Sequence, residues 1–353
     1  MNPFSLTYGK KPYSSVARQE FADKITNDFT TTPSATMSYV ITGIRGSGKT
    51  VLLRTITYQF KAEDSWLLVD INPLSENMLL EFAEKLYLEL TKGGSKLGFE
   101  LSVNLPYLSL SFKKKEPEIK NESAIIQRLA EEVAKRKKKI LVTIDEVNGT
   151  KALRAFATEY QHLIGEDYPV YLLMTGLKQN IDALAQHKST SFLSRTTRIE
   201  LAPLSLLEVA FSYQKVFHNS LEDASKMAAL TKGYAFAYQV LGYFAYERGD
   251  TTLDEDLLRN FDDYLFKNGY QIIFKDFTKA EQRFLFALSQ SQHGATSEVM
   301  EAASLESSMF QNYRRRLIEK DIIIADGYGT LAFTLPRFKE FLRMYYELFY
   351  ASM

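Results

Sequence analysis

The segment GIRGSGKT occupies residues 43–50. It fits the pattern Gly-x-x-x-x-Gly-Lys-Thr, which has a mechanical meaning where it joins a buried strand to a helix. The glycines let successive backbone N–H groups turn inward on a phosphate. The lysine then reaches the β- and γ-phosphates, and the threonine hydroxyl takes Mg2+. Elsewhere the same run is only a flexible turn, so the flanks decide. Met37-Ser38-Tyr39-Val40-Ile41-Thr42 precedes it, short, apolar and β-branched like a buried parallel strand. After it, Leu52, Leu53, Ile56 and Phe60 recur at helical spacing. A helix starting at the loop turns its N-terminal N–H groups toward the phosphate. Gly43, Ile44, Arg45, Gly46, Ser47, Gly48, Lys49, Thr50 and Val51 are therefore the candidate contacts to ATP, with Mg2+ at Thr50.

The rest of the composition narrows the choice. A chain of 353 residues is long enough for about two domains. Lys plus Arg and Asp plus Glu each number 43, so no global basic field draws the chain to nucleic acid. With no cysteine, disulfides, thiolate metal sites and cysteine nucleophiles are excluded. The four histidines are not spaced as metal ligands. No basic segment followed by an apolar run opens the chain, and no apolar stretch is long enough to span a bilayer. These features are compatible with a reducing cytoplasm, the expected location.

Apolar strand-like runs recur at Trp66 to Ile71, Ile140 to Ile144, Val170 to Thr175 and Thr197 to Leu201. Helical patterns separate them, at Glu76 to Leu90, Glu122 to Arg136 and Lys151 to Leu163. This alternation implies an α/β fold, a parallel P-loop sheet sandwiched by helices. Residues 98–113 break the pattern with two period-2 segments across Pro106-Tyr107, the signature of a β-hairpin insertion. The core is expected over residues 1–203. A helical lid follows over 204–275, with helices marked by Leu206 to Tyr213, Ala235 to Tyr246 and Leu253 to Phe266. Over 276–353, three helices, a hairpin at Ile322 to Leu335 and a last helix after Pro336 have the layout of a winged helix.

Ligands of open parallel sheets sit beyond the C-terminal strand ends. The polar strand ends here are Thr42 with the glycine loop, Asp145-Glu146, and Thr175. Asp145 is placed to hold Mg2+ beside Thr50. Glu146 is placed to orient or deprotonate an attacking water, and Thr175 to hold that water or the γ-phosphate.

At this point the sequence resembles a family. The glycine loop, Ile140 to Glu146, Thr175, SFLSRTTRIELAPLS at 191–205 and TKGYAFAYQVLG at 231–242 are similar to AAA+ ATPases. The archaeal-type and STAND-like members resemble it most, origin-recognition initiator ATPases more distantly. The resemblance implies Arg195 as an arginine finger or sensor, with Arg198 the second candidate. It implies an adenine contact from the N-terminal segment at Arg18, where Ala17-Arg18 replaces the usual Gly-Arg pair. Gly233-Tyr234-Ala235 carries neither the lid arginine nor the proline common in this group.

The winged helix points to duplex DNA through 276–353, while its charge does not. That segment holds nine Lys or Arg against ten Asp or Glu, where phosphate-binding domains usually show a basic excess. On the helix at Glu306 to Glu319, Met309, Tyr313 and Leu317 are expected to face the core, leaving some of Arg314, Arg315 and Arg316 outside, with Tyr328 at the wing tip. Two readings stand. One is a Mg2+-dependent ATPase switch or motor acting on DNA or a protein, with a homo-oligomer implied if Arg195 acts in trans. The other is a STAND-like signalling module with little turnover, its winged helix used for protein contact. A small-molecule P-loop kinase fits less well, since nothing after the core resembles an acceptor pocket.

Overall fold

The computed structural model describes residues 1–7, 9, 12–14, 16, 18–94 and 121–349; the expected hairpin at 98–113 lies outside them. The chain divides into two compact units. One comprises Arg18–Thr42 and Lys49–Glu200, the other Met1–Ala17, Gly43–Gly48 and Leu201–Met353. By contacts, the glycine loop at Gly43–Gly48 falls with the C-terminal half of the chain.

The first unit begins with helix α1 (Gln19–Thr30) and strand β1 (Ser38–Thr42). It continues through α2 (Lys49–Lys61), β2 (Trp66–Ile71) and α3 (Met78–Thr91). After residue 120 come α4 (Glu122–Lys135), β3 (Lys139–Val147), α5 (Lys151–Gly165), β4 (Val170–Gly176), α6 (Lys178–Gln186) and β5 (Thr197–Glu200). The sheet has strand order β2-β3-β4-β1-β5, and every pairing is parallel. Successive strand residues point to opposite faces, and both faces are apolar here. Val40, Leu67, Val69, Val142 and Leu172 join one core cluster with residues of α3, α4, α5 and α6. Tyr39, Trp66 and Tyr171, one position out of phase, meet Phe29 of α1 or Phe60 of α2. This is the expected helix-flanked sheet. Helices α1 and α6 were not evident from the sequence.

The second unit has one continuous core. Helices α7 (Leu206–Phe217), α8 (Leu221–Thr231), α9 (Ala235–Arg248) and α10 (Glu255–Leu265) form the lid. A π-helical turn over Phe266–Tyr270 runs into α11 (Gln271–Lys275). Then follow α12 (Lys279–Gln290), α13 (Thr296–Ala302), α14 (Ser307–Glu319), the antiparallel strands β6 (Ile323–Ala325) and β7 (Leu331–Phe333), and α15 (Phe338–Phe349). This C-terminal part has the expected layout of a winged helix.

No boundary in the core separates it from the lid. Tyr270 packs edge-on against Phe338 and Phe341 of α15. Burial pushes its hydroxyl well above the usual tyrosine range, so it stays protonated and donates to the Pro336 carbonyl. Arg337 pairs with Asp262 of α10 at 2.5 Å. The N-terminal segment joins the same core through Phe4, which lies among Tyr213, Phe217 and Tyr238.

On α14 the phase differs from expectation. Phe310 and Leu317 are buried and Tyr313 half-buried, while Met309 is 44 % exposed. Burying Phe310 seats a larger apolar side chain stacked on Phe284. Tyr328 is fully exposed between β6 and β7, as expected for a wing tip. Among the described residues, no helix is long and apolar enough to cross a membrane.

Candidate functional site

The strand order puts β4 beside β1 and β3 beside β4. The C-terminal ends of these strands therefore lie in a row, with the candidates Asp145 and Glu146 on β3 and Thr175 on β4. On β3, Ile144 pairs with Met174 and Val147 with Gly176. Asp145 and Glu146 together thus oppose the single residue Thr175, which makes a β-bulge. Bulges re-aim side chains at strand ends. Glu146 adopts φ 59°, a left-handed conformation uncommon outside glycine.

Thr175 holds this conformation. Its side chain is fully buried, and its hydroxyl accepts the Glu146 N–H at 2.9 Å. The same hydroxyl donates to Oδ1 of Asp145 at 2.5 Å. Oδ2 of Asp145 accepts a second hydroxyl, that of Thr50, at 2.8 Å. Thr50 is the second residue of α2, so the helix that begins at the glycine loop is tied to the end of β3. Thr175 thus engages Asp145 and the Glu146 backbone. Glu146 itself is exposed.

The loop is shaped by its own turn. Ser47 N–H donates to the Ile44 carbonyl at 3.2 Å, and Gly46 between them has φ 79°. This is the i→i+3 closure with a left-handed third residue that marks a type II turn. Gly48 has φ 95° before α2 begins. Lys49 opens the helix with little exposure, and Val51 follows in its first turn.

The lid grips the loop from its carbonyl side. Tyr234 hydroxyl donates to the Arg45 carbonyl at 2.8 Å, and Phe236 N–H donates to the Gly46 carbonyl at 3.1 Å. Phe236 lies in the first turn of α9, where N–H groups lack partners within the helix. Arg45 also reaches Asp276, at 4.0 Å. Sequence reasoning missed Tyr234, Phe236 and Asp276. The one available signal is an aromatic residue directly after Gly233, where AAA+ ATPases often carry a sensor arginine or a proline.

The other expected residues lie on other elements. Arg195 is exposed in the turn before β5, and no ion pair or side-chain hydrogen bond joins it to another described residue. Arg198, the second candidate, is paired with Asp182. Arg18 caps the N-terminus of α1, where its carbonyl accepts Phe21 N–H and Ala22 N–H.

The donor set fits Mg2+. This small, hard cation takes oxygen ligands and keeps much of its shell for water and substrate phosphates. Thr50 and Asp145 already bring a hydroxyl and a carboxylate together. Among the described residues no group of three or more His, Cys, Asp or Glu forms an all-protein cage.

Comparison with known proteins agrees with this geometry. Residues 32–178 match the family model described as an AAA domain. Residues 267–342 match a domain of unknown function, DUF8462. No curated protein matches the sequence. The fold is similar to that of the Walker-type ATPase PABY2304 of Pyrococcus abyssi, with TM-score 0.67 at 14% identity, covering 96% of this chain and 99% of that one. It is similar to the ORC2 protein of Aeropyrum pernix solved with ADPNP and ADP, with TM-score 0.62 at 14% identity and 98% coverage of both chains. Cdc6p from Pyrobaculum aerophilum is similar with TM-score 0.51 at 15% identity, over 98% of this chain and 97% of that one. The chain thus contains an AAA domain with a glycine loop, and its fold, which ends in a small C-terminal domain of winged-helix layout, is similar to that of these solved structures.

Proposed function

We propose that the chain is a Mg2+-dependent switch that binds and hydrolyses ATP. The observation that carries this reading is the chain of hydrogen bonds Thr50–Asp145–Thr175–Glu146. It ties the first turn of the loop's helix to the carboxylate pair at the end of β3. Lys49 meets the β- and γ-phosphates and neutralises charge there. Thr50 and Asp145 would hold Mg2+, which when bound would supply polarisation of the phosphoryl oxygens. Glu146 orients the attacking water and accepts its proton, while Thr175 fixes the backbone from which Glu146 projects. Arg195 completes the site by stabilising charge that develops on the transferred phosphoryl group. An arginine exposed on its own unit suits action on a neighbouring copy, hence a homo-oligomer. Arg18 contacts the adenine. Steady-state ATPase measurement, with Mg2+ and with EDTA, tests the reading; no nucleotide binding by the folded chain would overturn it.

The winged helix is the effector end, and its charges favour a protein partner over DNA. Arg316 lies 3.4 Å from Glu281 and Lys320 lies 2.8 Å from it. Arg315 lies 3.9 Å from Glu319. Carboxylates thus offset much of the cluster that duplex DNA would need. This observation also suits the winged helix of the second reading, a STAND-like module in which it is used for protein contact. Titrating the full chain with ATP against duplex DNA at low salt separates them. DNA binding would show affinity falling steeply with salt through counterion release, and Arg314→Ala with Arg315→Ala would flatten that slope.

A further inference from the structure

We infer that Tyr234 is a positioning residue of the phosphate loop, and that its hydroxyl sets the direction of the loop's central peptide. The inference rests on the reading of the loop as a nucleotide site.

The peptide joining Arg45 and Gly46 lies at the middle of the turn closed by Ser47 and Ile44. Type I and type II turns differ mainly by a flip of this central peptide. A trans peptide points its C=O and its N–H in opposite directions. Fixing the Arg45 carbonyl therefore fixes where the Gly46 N–H points. Tyr234 does this with a hydrogen bond of 2.8 Å. The neighbouring peptide is fixed in the same way, since the Gly46 carbonyl accepts the Phe236 N–H. Two consecutive loop carbonyls are thus held on the lid side. The Gly46 N–H is directed away from it, as a loop that cradles an anion requires, while the Ser47 N–H closes the turn onto Ile44.

Gly46 shows how close this fit is. A Cβ there would stand 2.3 Å from the Tyr234 hydroxyl oxygen and 3.0 Å from Cβ of Phe236. The position needs glycine for its positive φ and again for the lid's approach. The Tyr234 ring is itself held, stacked on Tyr270 at 6.3 Å and 22°. The hydroxyl is therefore presented from a buried aromatic pair and not from a mobile side chain.

The test is Tyr234→Phe in the full chain, which keeps the stacked ring and removes only the hydroxyl. The first measurement is amide exchange at Ser47 and Phe236 in nucleotide-free protein. Both should exchange about five- to tenfold faster, the size of one lost hydrogen bond. The second is calorimetric affinity for ADP, ATP and adenosine. ADP and ATP should bind about five- to tenfold more weakly, with adenosine unaffected, because only the phosphate cradle is changed. Unchanged exchange at both amides would overturn the inference. So would a lower melting temperature with unchanged exchange, which would leave Tyr234 a packing residue. If the wild-type chain binds no nucleotide, the function proposed above fails, and the exchange measurement alone decides the role of Tyr234.

Discussion

The Thr175 hydroxyl stands 2.5 Å from Oδ1 of Asp145 and is buried from solvent. It also accepts the N–H of Glu146, the residue in the left-handed conformation. One side chain thus orients both acidic residues. Thr175→Val keeps the shape and removes both bonds. We expect a loss of about 1–3 kcal/mol in stability, from leaving the Glu146 N–H without its acceptor. Turnover should fall about tenfold or more, and denaturant melts with an ATPase assay check both.

Glu146→Gln removes the proposed proton acceptor and keeps the shape. ATP binding should persist while turnover drops about 10^2- to 10^4-fold. Asp145→Ala should instead weaken Mg2+-dependent binding, because Thr50 loses its partner as well. Calorimetry with and without Mg2+ tells the two apart. Wild-type turnover in Glu146→Gln would mean that another residue positions the water.

Lys49→Ala should weaken ATP binding by about a hundredfold or more, through loss of a charge-assisted contact to phosphate. Unchanged affinity in a folded variant would end the phosphate-loop assignment.

Arg195→Ala should lower turnover by about 10^3-fold with little change in affinity. If the residue acts in trans, specific activity rises with protein concentration, and mixing in Lys49→Ala protein changes it. Activity independent of concentration would place the action in cis.

Glu281 is fully buried, and its carboxylate is met by Lys320, Thr278 and Arg316. Burial raises its pKa, but the hydrogen bonds from Lys320 and Thr278 outweigh this and hold it below the usual glutamate range. The folded pKa is therefore depressed relative to the unfolded chain. The stabilisation is present above the unfolded pKa, near 4.3, and is lost as pH falls through the folded value. Glu281→Gln should cost about 2 kcal/mol at neutral pH and flatten the acid limb of the stability profile. Chemical denaturation at a series of pH values below neutrality checks this.

Much of this was legible in the sequence. Leu52, Leu53, Ile56 and Phe60 repeat at helical spacing and all are buried. The loop, Asp145 and Thr175 sit at strand ends, where period and polarity switch together. What escaped was set by tertiary contact. On α14 the spacing of Met309, Tyr313 and Leu317 was helical, yet Phe310 competed for the core and rotated the buried face. The bulge at Asp145-Glu146 has no local sequence signature, because it is held by Thr175 from a neighbouring strand. Phe4 carries no pattern of its own, yet its ring fills the space over Gly242, where a Cβ would lie 2.5 Å from it.

The shared core of lid and winged helix has a consequence for how the molecule comes apart. Tyr270 and Phe274 precede residue 276 in the chain but pack on α15. The DUF8462 match likewise begins at residue 267, before that boundary. A protease or stop codon that severs the chain at 275/276 would strip α15 of Phe266, Tyr270 and Phe274 and leave Arg337 without Asp262. The two halves should melt in a single cooperative step, since neither retains a closed apolar interior alone.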